Sequence, residues 1–534
     1  MINKVKGLSL SVLSGLLLAF SWPTTGFTPI VFVSFIPIFF VFEISFKHIK
    51  WNSFFVFIVS FFCFLIFNGL TTGWISRVQP SGFFAVSIAL FVNATLMSLT
   101  TTLAFVFRKK YGINKGLRCF IVFWIMFEFL HLDWDLSWPW LTLGNVFSEK
   151  INWIQWYEYT GVLGGSFWIL LINTLLFKCV LEWFNKKKIF NRLFVCVIVI
   201  LIIPLLISKN LSKKIITTND SITVAVVQPN EDTYKEKFFK PDINHSIEIL
   251  DLVDLTSNKV DYVLAPETAL PDGMWEERIF DYNPIKLFNK YAQTFPQTHF
   301  VFGGLTFQKY LNDDNIPHTA RESNGLWYDV FNSAIQVDSS DSVQIYHKSK
   351  LVAGSEMMPF VKHLGFMKKL FLDLGGTTGS LGLQREREVF FSNNKMVKIA
   401  PVICYESIYG EYVTDYIKKG ANFIFILTND AWWGNTQGHR QHASYAKLRA
   451  IETRRAIARS ANTGISCFIN SKGEIINKID WDKEGVITEK IHSNDKLTFY
   501  VKFGDYIGRV ALFVGIFYLL QLIVFIRINI KKEY

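Results

Sequence analysis

Cysteine is scarce in this chain, with six residues among 534. None of them has the close Cys or His spacing of a zinc motif, which argues against a structural zinc framework. A phosphate-binding loop is also missing, because Gly161, Gly164 and Gly165 follow no predicted strand and are better suited to a bend or close helix packing. The sequence contains no internal repeat and no low-complexity linker. We therefore expect neither a metal nor a cofactor.

Acidic residues are outnumbered, since 44 Asp and Glu face 55 Lys and Arg and give a net charge of +11. A basic balance could indicate nucleic-acid binding, but here the positive residues stand between long apolar segments. A membrane span needs about 20 mostly apolar residues. Eight segments qualify as candidates: 5–22, 29–46, 52–73, 83–107, 118–132, 166–184, 191–208 and 508–527.

The distribution of positive charge predicts a topology, because cytoplasmic loops of membrane proteins collect Lys and Arg. With a cytoplasmic N-terminus, the short outside loops hold only Arg77 and Lys150. The cytoplasmic segments would hold Lys4, Lys6, Lys47, Lys50, Arg108, Lys109, Lys110, Lys115, Arg118, Lys186, Lys187, Lys188, Arg192, Arg527, Lys531 and Lys532. The first segment could be a signal peptide, but six further spans follow it directly, which favours an uncleaved helix.

Seven passes from that start place the mixed-composition region outside the cytoplasm. We predict a membrane domain over 1–215, an extracytoplasmic catalytic domain over 216–503, and a last span with a cytoplasmic tail over 504–534. Membrane lipids, rather than nucleic acid, are the partners that this arrangement implies.

Strand and helix patterns alternate in the outside region, which indicates an α/β layer fold. The expected strands are 222–228, 260–265, 299–303, 328–337, 400–403 and 422–427, and the expected helices are 235–257, 284–293 and 408–419. A long helix over 441–461 would expose Arg449, Arg454, Arg455 and Arg459 on a solvated face. Residues 464–469 and 474–479 should close the domain as a hairpin.

Three chemically useful residues stand at predicted strand ends: Glu267, Lys348 and Cys404. Taken singly, each has an ordinary interpretation: Glu267 as a loop carboxylate, Lys348 as a surface lysine and Cys404 as a buried structural cysteine. Taken together, they could form a nucleophilic site, with Glu267 as general base for the thiol. Lys348 and the Tyr405 backbone N–H would stabilise the oxyanion of a tetrahedral intermediate.

Several nearby residues are candidates for supporting roles. Glu356 or Glu406 could hold the lysine or relay protons. A disulfide between Cys404 and Cys467 is conceivable outside the cytoplasm, but it would inactivate the nucleophile and we expect none. His439 and His442 could share a helix face, and without a third ligand we interpret them as surface or supporting histidines.

The membrane region contains two further features. Glu128 lies inside the fifth predicted span, where an ionisable group is either functional or close enough to the helix end to reach the interface. Aromatic residues crowd the connection 134–157 that follows, as is typical of a membrane interface. We predict that this connection forms the floor of a pocket open to lipid.

Six stretches together resemble the nitrilase, or carbon–nitrogen hydrolase, superfamily and, given eight spans, the apolipoprotein N-acyltransferase family within it. They are Val227–Asn230, Ala265–Pro271, Tyr346–Val352 with Glu356 and Pro359, Ile403–Glu406, Thr428–Gly434 and Arg459–Gly464, joined in the membrane part by Trp138–Leu141. Some positions depart from the family pattern, including Leu351–Ser355 before Glu356 and Tyr234, Lys237 and Phe238 where a Trp is usual.

The resemblance implies a nitrilase-like αββα sandwich held outside the inner membrane by an eight-helix bundle. It assigns Glu267 as base, Lys348 as the oxyanion-side lysine and Cys404 as nucleophile. Support at the site would come from Glu356, Tyr405 and Glu406, and tentative substrate contacts from Trp140, Phe238 and Trp432.

The implied reaction is a ping-pong acyl transfer. Cys404 takes the sn-1 acyl chain of a phospholipid, and the α-amine of a diacylglyceryl-cysteine lipoprotein then accepts it, with the protein acting as a monomer. Two other functions are open: a membrane-tethered amidase that hydrolyses a small amide with the same three residues, and a transporter or receptor whose outside domain only binds a ligand.

Overall fold

The computed structural model describes residues 2–78, 82–186, 192–214, 220–256, 259–310, 316–360 and 380–533. Lys187, Lys188 and the predicted boundary between 215 and 216 lie outside the described residues. The chain divides into two compact units: a helical unit of Met1–Ile75, Phe83–Lys213 and Phe503–Tyr534, and an α/β unit of Ser76–Gly82 and Lys214–Lys502.

Eight long helices occur among the described residues of the helical unit. They are α1 (Ile2–Ser21), α2 (Ile36–His48), α3 (Asn52–Thr72), α4 (Gly82–Tyr111), α5 (Ile113–Leu130), α6 (Tyr157–Lys186), α7 (Arg192–Lys214) and, after the α/β unit, α13 (Tyr506–Glu533). Seven stretches in the described residues are long and apolar enough to cross a membrane. The predicted count of eight is thus approximate, because α5 is only 18 residues long and carries Lys115, Arg118 and Glu128.

Glu128 is buried in the helical unit, close to the end of α5. Its carboxylate accepts hydrogen bonds from Trp124 Nε1 of α5 at 3.0 Å and from the backbone N–H of Leu143 at 2.8 Å. These two hydrogen bonds, both to one carboxylate oxygen, fasten the aromatic-rich connection to the helix before it. In the same connection Trp140 is 1% exposed and packs against Trp138 and Trp74, with ring centroids 5.5 and 5.0 Å apart.

The expectation that Gly161 and Gly165 allow a bend and close packing is confirmed. Gly161 interrupts α6 with φ +59°, a left-handed conformation that glycine adopts without steric cost. A Cβ on Gly165 would overlap the Tyr157 hydroxyl group at 1.8 Å. The start of α6 therefore bends around the Tyr157 side chain, which any residue larger than glycine at position 165 would displace.

Two β-sheets form the centre of the α/β unit. The first, eight-stranded in the described residues, contains β1 (Ser221–Gln228), β2 (Tyr262–Leu264), β3 (Leu270–Trp275), β4 (His299–Lys309), β5 (Arg321–Ser323), β6 (Leu326–Val337), β7 (Val343–His347) and β14 (Gly485–His492). The second, six-stranded, contains β8 (Phe390–Phe391), β9 (Lys398–Ile403), β10 (Phe423–Thr428), β11 (Ala456–Ala461), β12 (Ser466–Ile469) and β13 (Ile475–Ile479). β12 and β13 are antiparallel, which confirms the predicted hairpin.

Helices cover both sheets, so the unit is the αββα sandwich that the resemblance implied. α8 (Asp242–Asp254) and α9 (Asn283–Thr294) share an apolar core with the first sheet. α10 (Gly410–Lys418) and α11 (Gln437–Thr453) pack on the second. Between the sheets, the Ser460 hydroxyl donates to the Val227 carbonyl at 2.6 Å. A last short helix, α12 (Phe499–Phe503), follows β14.

The predicted helix over 235–257 begins later than expected, at Asp242. The Asp232 side chain accepts hydrogen bonds from the N–H groups of Tyr234 and Lys235, which stabilises a turn there instead of a helix. Pro241 then occupies the N-cap position, with extended backbone angles. Residues 233–240 consequently form a loop beside the candidate site.

The predicted helix over 441–461 is wrong beyond Thr453. Arg454 adopts a left-handed conformation with φ +54°, which ends α11, and Ala456–Ala461 runs as a buried strand between β10 and β12. The four arginines of this segment are buried rather than solvated. Each donates to at least one main-chain carbonyl in the interior. Arg455, for example, donates to the Ala421 and Lys496 carbonyls.

Candidate active site

Strand ends from both sheets bring the three predicted residues together. Glu267 follows β2, Lys348 follows β7 and Cys404 follows β9. Gly303 of β4 makes the Glu267 loop possible, because a Cβ there would lie 2.6 Å from the Glu267 Cα atom. The backbone of β4 instead approaches that loop closely and donates from Gly303 N–H to the Pro266 carbonyl at 3.0 Å.

Around the Cys404 thiol lies a group of polar side chains, which we call the thiol-side cluster: Glu267, Lys348 and Asn332, which are buried, and Glu356, which is partly buried. Lys348 is 1% exposed and its ammonium group donates to Glu267 at 2.9 Å and to Glu356 at 2.8 Å. The Asn332 amide donates to the same two carboxylates, at 2.8 and 3.0 Å. Cys404 lies close enough to Glu267 and Lys348 for both charges to act on its thiol. A carboxylate, an ammonium group and a thiol thus share one small buried space.

The charges set the resting protonation of this cluster. Burial favours a neutral Glu267, but the charge of the Lys348 ammonium group and the hydrogen bonds from Lys348 and Asn332 outweigh it and lower the carboxyl pKa below its usual value. Burial opposes the charge of Lys348 too, yet Glu267 and Glu356 hold its pKa well above the usual range. The pKa of the Cys404 thiol is raised, by burial first and then by Glu267, against the opposing effect of Lys348. At rest the site therefore holds a thiol beside a carboxylate, not a preformed thiolate.

Cys404 has an unusual backbone. It starts a short 3-10 turn, Cys404–Ile408, with φ +48°, a conformation that non-glycine residues rarely adopt and that functional sites often contain. Its carbonyl oxygen accepts a hydrogen bond from the Ser407 hydroxyl at 2.7 Å, and His442 Nε2 lies 3.2 Å away. The contacts at this carbonyl hold the turn that presents the thiol.

Glu406 does not touch the lysine, but it joins the two loops that carry the reactive groups. One oxygen accepts from the Ser349 N–H at 2.7 Å, directly after Lys348, and the other accepts from the Ile403 N–H at 2.9 Å, directly before Cys404. The hydroxyl groups of Tyr346 and Tyr412 also donate to it, at 2.8 and 2.6 Å. Of the two carboxylates proposed to hold Lys348, Glu356 accepts a hydrogen bond from its ammonium group, whereas Glu406 contacts the main chain of the next residue, Ser349.

A second buried group of charges lies on the main-chain side of Cys404, and we call it the carbonyl-side cluster: Asp430, His442 and Arg459. Asp430 accepts from Arg459 at 2.7 Å and faces His442 Nδ1 at 2.9 Å. Burial would raise the Asp430 pKa, but Arg459 and His442 hold it well below its usual value. His442 is therefore a buried supporting histidine, as the sequence suggested, whereas the burial of Arg459 was not foreseen.

The loop 233–240 carries an aromatic group at the site. Phe238 stacks on Trp432 with centroids 6.0 Å apart, and Tyr234 meets the same ring edge-on at 5.3 Å. Lys237 is fully buried and donates to the Glu267 main-chain carbonyl at 2.9 Å. Burial lowers the pKa of Lys237 to about 8, although the nearby Glu231 and Glu267 oppose this effect.

One group in the described residues has the composition of a metal site: Glu231, His245 and Glu248. The Lys240 ammonium group lies 2.9 Å from Glu231 and 2.8 Å from Glu248. His245 Nδ1 is 2.6 Å from the same Glu231 oxygen. These contacts already neutralise and orient the carboxylates, so the group needs no cation to be satisfied.

Sequence reasoning missed Asn332, Asn429 as a contact, and the role of Lys237. Asn332 stands in β6 beside other buried polar residues such as Ser333 and Gln336, and this polar content within a predicted strand was the available signal. The Asn429 N–H donates to the second Glu267 oxygen at 3.0 Å, a backbone contact that no side-chain pattern could reveal. Cys404 and Cys467 are both free thiols.

Comparisons with known proteins identify the family. Residues 14–175 match a model described as the apolipoprotein N-acyltransferase N-terminal domain, and residues 223–495, just over half of the 534-residue chain, match the carbon–nitrogen hydrolase model. An apolipoprotein N-acyltransferase of Chlorobaculum tepidum is 28% identical, over 97% of this chain and 96% of its own length. One from Geobacter metallireducens is 25% identical, over 93% and 91%.

A solved carbon–nitrogen hydrolase superfamily protein from Xanthomonas campestris covers 51% of this chain and 91% of its own, with 14% identity and a TM-score of 0.34. The carbon–nitrogen hydrolase model matches the α/β unit, which has the αββα layers and carries Glu267, Lys348 and Cys404 at its strand ends. The chain belongs to the carbon–nitrogen hydrolase family, with the N-terminal domain of the apolipoprotein N-acyltransferases joined to it.

Proposed function

We propose that this protein is an N-acyltransferase. It moves the sn-1 acyl chain of a phospholipid, through a thioester on Cys404, to the N-terminal α-amine of a diacylglyceryl-cysteine lipoprotein. The observation that carries the proposal is the buried ion pair of Glu267 with Lys348, whose two charges act directly on the buried Cys404 thiol. The match of 14–175 to the N-terminal domain of apolipoprotein N-acyltransferases supports this function over a soluble-type hydrolase.

In the first half-reaction, Glu267 takes the proton of the Cys404 thiol while the sulfur attacks the sn-1 ester carbonyl. Because the thiol pKa is raised, the proton must leave as the new bond forms, so a base in contact is needed. The oxyanion of the tetrahedral intermediate is stabilised by Lys348 and the Tyr405 N–H. Collapse breaks the C–O bond, and protonated Glu267 returns the proton to the departing lysophospholipid alkoxide.

In the second half-reaction, Glu267 takes a proton from the attacking α-amine. The nitrogen adds to the thioester carbonyl, the same donors stabilise the oxyanion, and the C–S bond breaks. The Cys404 thiolate recovers the proton from Glu267, which leaves an amide on the lipoprotein and the enzyme in its starting state. Lys348 keeps its proton throughout, since two carboxylates raise its pKa.

The α/β unit is proposed to stand on the periplasmic side of the inner membrane. The arrangement of positive charge along the helical unit supports this side. The enzyme is proposed to act as a monomer with no nucleic-acid partner. Each CH₂ group of a lipid chain is stabilised by roughly 0.8 kcal/mol through burial in the bilayer. An enzyme held at the membrane surface receives its lipid substrates without the cost of extracting them.

Phe238 and Trp432 are proposed to contact the substrate, because Phe238 lies on the loop that Lys237 fastens to Glu267 and its ring stacks on Trp432. Trp140 is proposed as part of the lipid-facing connection, although its own ring is buried between Trp138 and Trp74. Trp138, which is less buried, is then the ring of that stack with more surface available for contact.

A two-substrate assay tests the function. The enzyme is incubated in detergent with phosphatidylethanolamine labelled in the sn-1 chain, with and without a diacylglyceryl-cysteine peptide. We expect equal amounts of lysophospholipid and N-acylated peptide, and little free fatty acid. Steady release of fatty acid without N-acylation, or hydrolysis of small amides instead, would establish the hydrolase alternative.

A further inference from the structure

The peptide group between Cys404 and Tyr405 is held at its oxygen. The Ser407 hydroxyl donates to the Cys404 carbonyl at 2.7 Å, and His442 Nε2 lies 3.2 Å from the same atom and 3.0 Å from the Ser407 oxygen. A carbonyl oxygen only accepts, so His442 donates to it when Nε2 carries the proton. This carbonyl therefore lies within reach of two donors, from different elements of the fold.

His442 is itself fixed from the opposite ring nitrogen. Nδ1 lies 2.9 Å from Asp430, whose carboxylate also accepts from the Thr428 hydroxyl at 2.9 Å and from Arg459 at 2.7 Å. Arg459 in turn donates to the Ile465 carbonyl at 2.6 Å. All of these side chains are buried. The proposed reaction moves no proton through them, so their purpose lies elsewhere.

The geometry of a peptide group connects the two sides of Cys404. A peptide is planar and trans, so a fixed carbonyl oxygen also fixes the direction of the N–H on the opposite edge. That N–H belongs to Tyr405, the proposed oxyanion donor. Hydrogen bonds to the oxygen also polarise the group and strengthen its N–H as a donor. The left-handed Cys404, at φ +48°, would not hold this orientation without support.

We propose that His442 is a positioning residue for the oxyanion site: held by Asp430 and Arg459, it orients and polarises the Cys404–Tyr405 peptide so that the Tyr405 N–H faces the developing oxyanion. The proposal rests on the acyl-transfer function above and names a determinant of its rate. It predicts that loss of His442 slows reactions in which a carbonyl oxygen becomes an oxyanion. Reactions of the Cys404 thiol that form no oxyanion should keep their rate.

Two reactions of the same sulfur separate these cases. Acylation by phosphatidylethanolamine passes through an oxyanion, whereas alkylation by iodoacetamide is a direct displacement at carbon. The variants are His442→Ala and His442→Gln, whose amide can still donate to the Cys404 carbonyl. His439→Ala is the matched control, because His439 lies one turn earlier on α11, is equally buried, and packs on Trp481 with centroids 4.3 Å apart.

For His442→Ala we expect kcat for acylation to fall about 10–100-fold, with KM for phosphatidylethanolamine and the alkylation rate of Cys404 within twofold of wild type. His442→Gln should recover most of the loss, and His439→Ala should acylate normally. Arg459 still neutralises Asp430 in these variants, so a folded protein is expected. If His442→Ala fails to fold, Ser407→Ala gives the same comparison, with an expected loss of about fivefold in acylation alone.

Three results would overturn the proposal: acylation unchanged in His442→Ala, acylation and alkylation falling by the same factor, or no recovery with His442→Gln. Failure of the proposed function is a different outcome, since the wild-type enzyme would then form no acyl thioester at all. The wild-type reaction, run beside each variant, distinguishes the two.

Discussion

Two clusters of buried charge flank Cys404, and they neutralise their carboxylates differently. In the thiol-side cluster a single ammonium group, Lys348, is shared by Glu267 and Glu356. In the carbonyl-side cluster one carboxylate, Asp430, has the guanidinium group of Arg459 and the imidazole of His442. The shared cation leaves Glu267 able to accept a proton from the thiol, whereas Asp430 is held ionised. In the proposed reaction, charge moves in the thiol-side cluster and stays in place in the carbonyl-side cluster.

The largest effect on acyl transfer should come from replacing the Cys404 sulfur, which lies between the two clusters. Cys404→Ser replaces the sulfur with a much less acidic hydroxyl group, which Glu267 cannot activate comparably. We expect acyl transfer to fall by more than about 10⁴-fold. The measurement is lysophospholipid release, with circular dichroism as the control for folding. Residual activity near wild type would show that Cys404 is not the nucleophile.

Glu267→Gln should separate two properties of the thiol. Acylation should fall about 10³-fold because the base is lost. Alkylation by iodoacetamide at pH 8 should become several-fold faster, since Glu267 is one of the charges that raise the thiol pKa and its removal leaves Lys348 to favour the thiolate. Asp430→Asn is the comparison from the other cluster. Slower alkylation in Glu267→Gln would contradict this account of the thiol-side charges.

The pH profile of acylation tests whether the Lys348 ammonium group lowers the pKa of Glu267. Glu267 acts when ionised, and its pKa lies below the ordinary 4.5, so wild-type acylation should fall only below about pH 4.5. In Lys348→Met the main opposing charge is gone and burial raises the Glu267 pKa. The acid limb should then move to higher pH, on top of a lower maximal rate.

Lys235→Met is the matched control, because it removes the same charge from a side chain that is 82% exposed. Its acid limb should coincide with that of the wild-type enzyme. An unchanged limb in Lys348→Met would mean that Lys348 does not set the ionisation of Glu267.

Glu406→Gln should give the smallest of these effects. Its two oxygens accept from donors that include the Ile403 and Ser349 N–H groups, and an amide would turn its own donor towards one of them. We expect a loss of stability of about 1–3 kcal/mol and a modest fall in kcat, with the acid limb unmoved. Thermal unfolding and the pH profile measure both. A shifted limb would give Glu406 a part in proton transfer.

The strand pattern of the α/β unit was predictable because its buried strands are continuous apolar runs, such as Phe423–Leu427. Ala456–Ala461 was not, since its small and charged residues extend the preceding helical pattern and only the left-handed Arg454 separates the two. Glu267, Lys348 and Cys404 could be found because each follows an apolar strand.

The carbonyl-side cluster could not be derived in the same way. A buried arginine such as Arg459 is indistinguishable in sequence from one on a solvated helix face. Its position follows from the tertiary pairing of β11 between β10 and β12. The contact of His442 with the Cys404 carbonyl likewise involves a main-chain atom, which carries no sequence signal.

The most direct measurement is the mass of the Cys404 peptide after incubation with phosphatidylethanolamine and no acceptor. The account requires an added fatty acyl group on Cys404 that is labile to hydroxylamine and is discharged when a diacylglyceryl-cysteine peptide is added. An unmodified Cys404 under conditions that support turnover, or an acyl group that the amine does not remove, would contradict it.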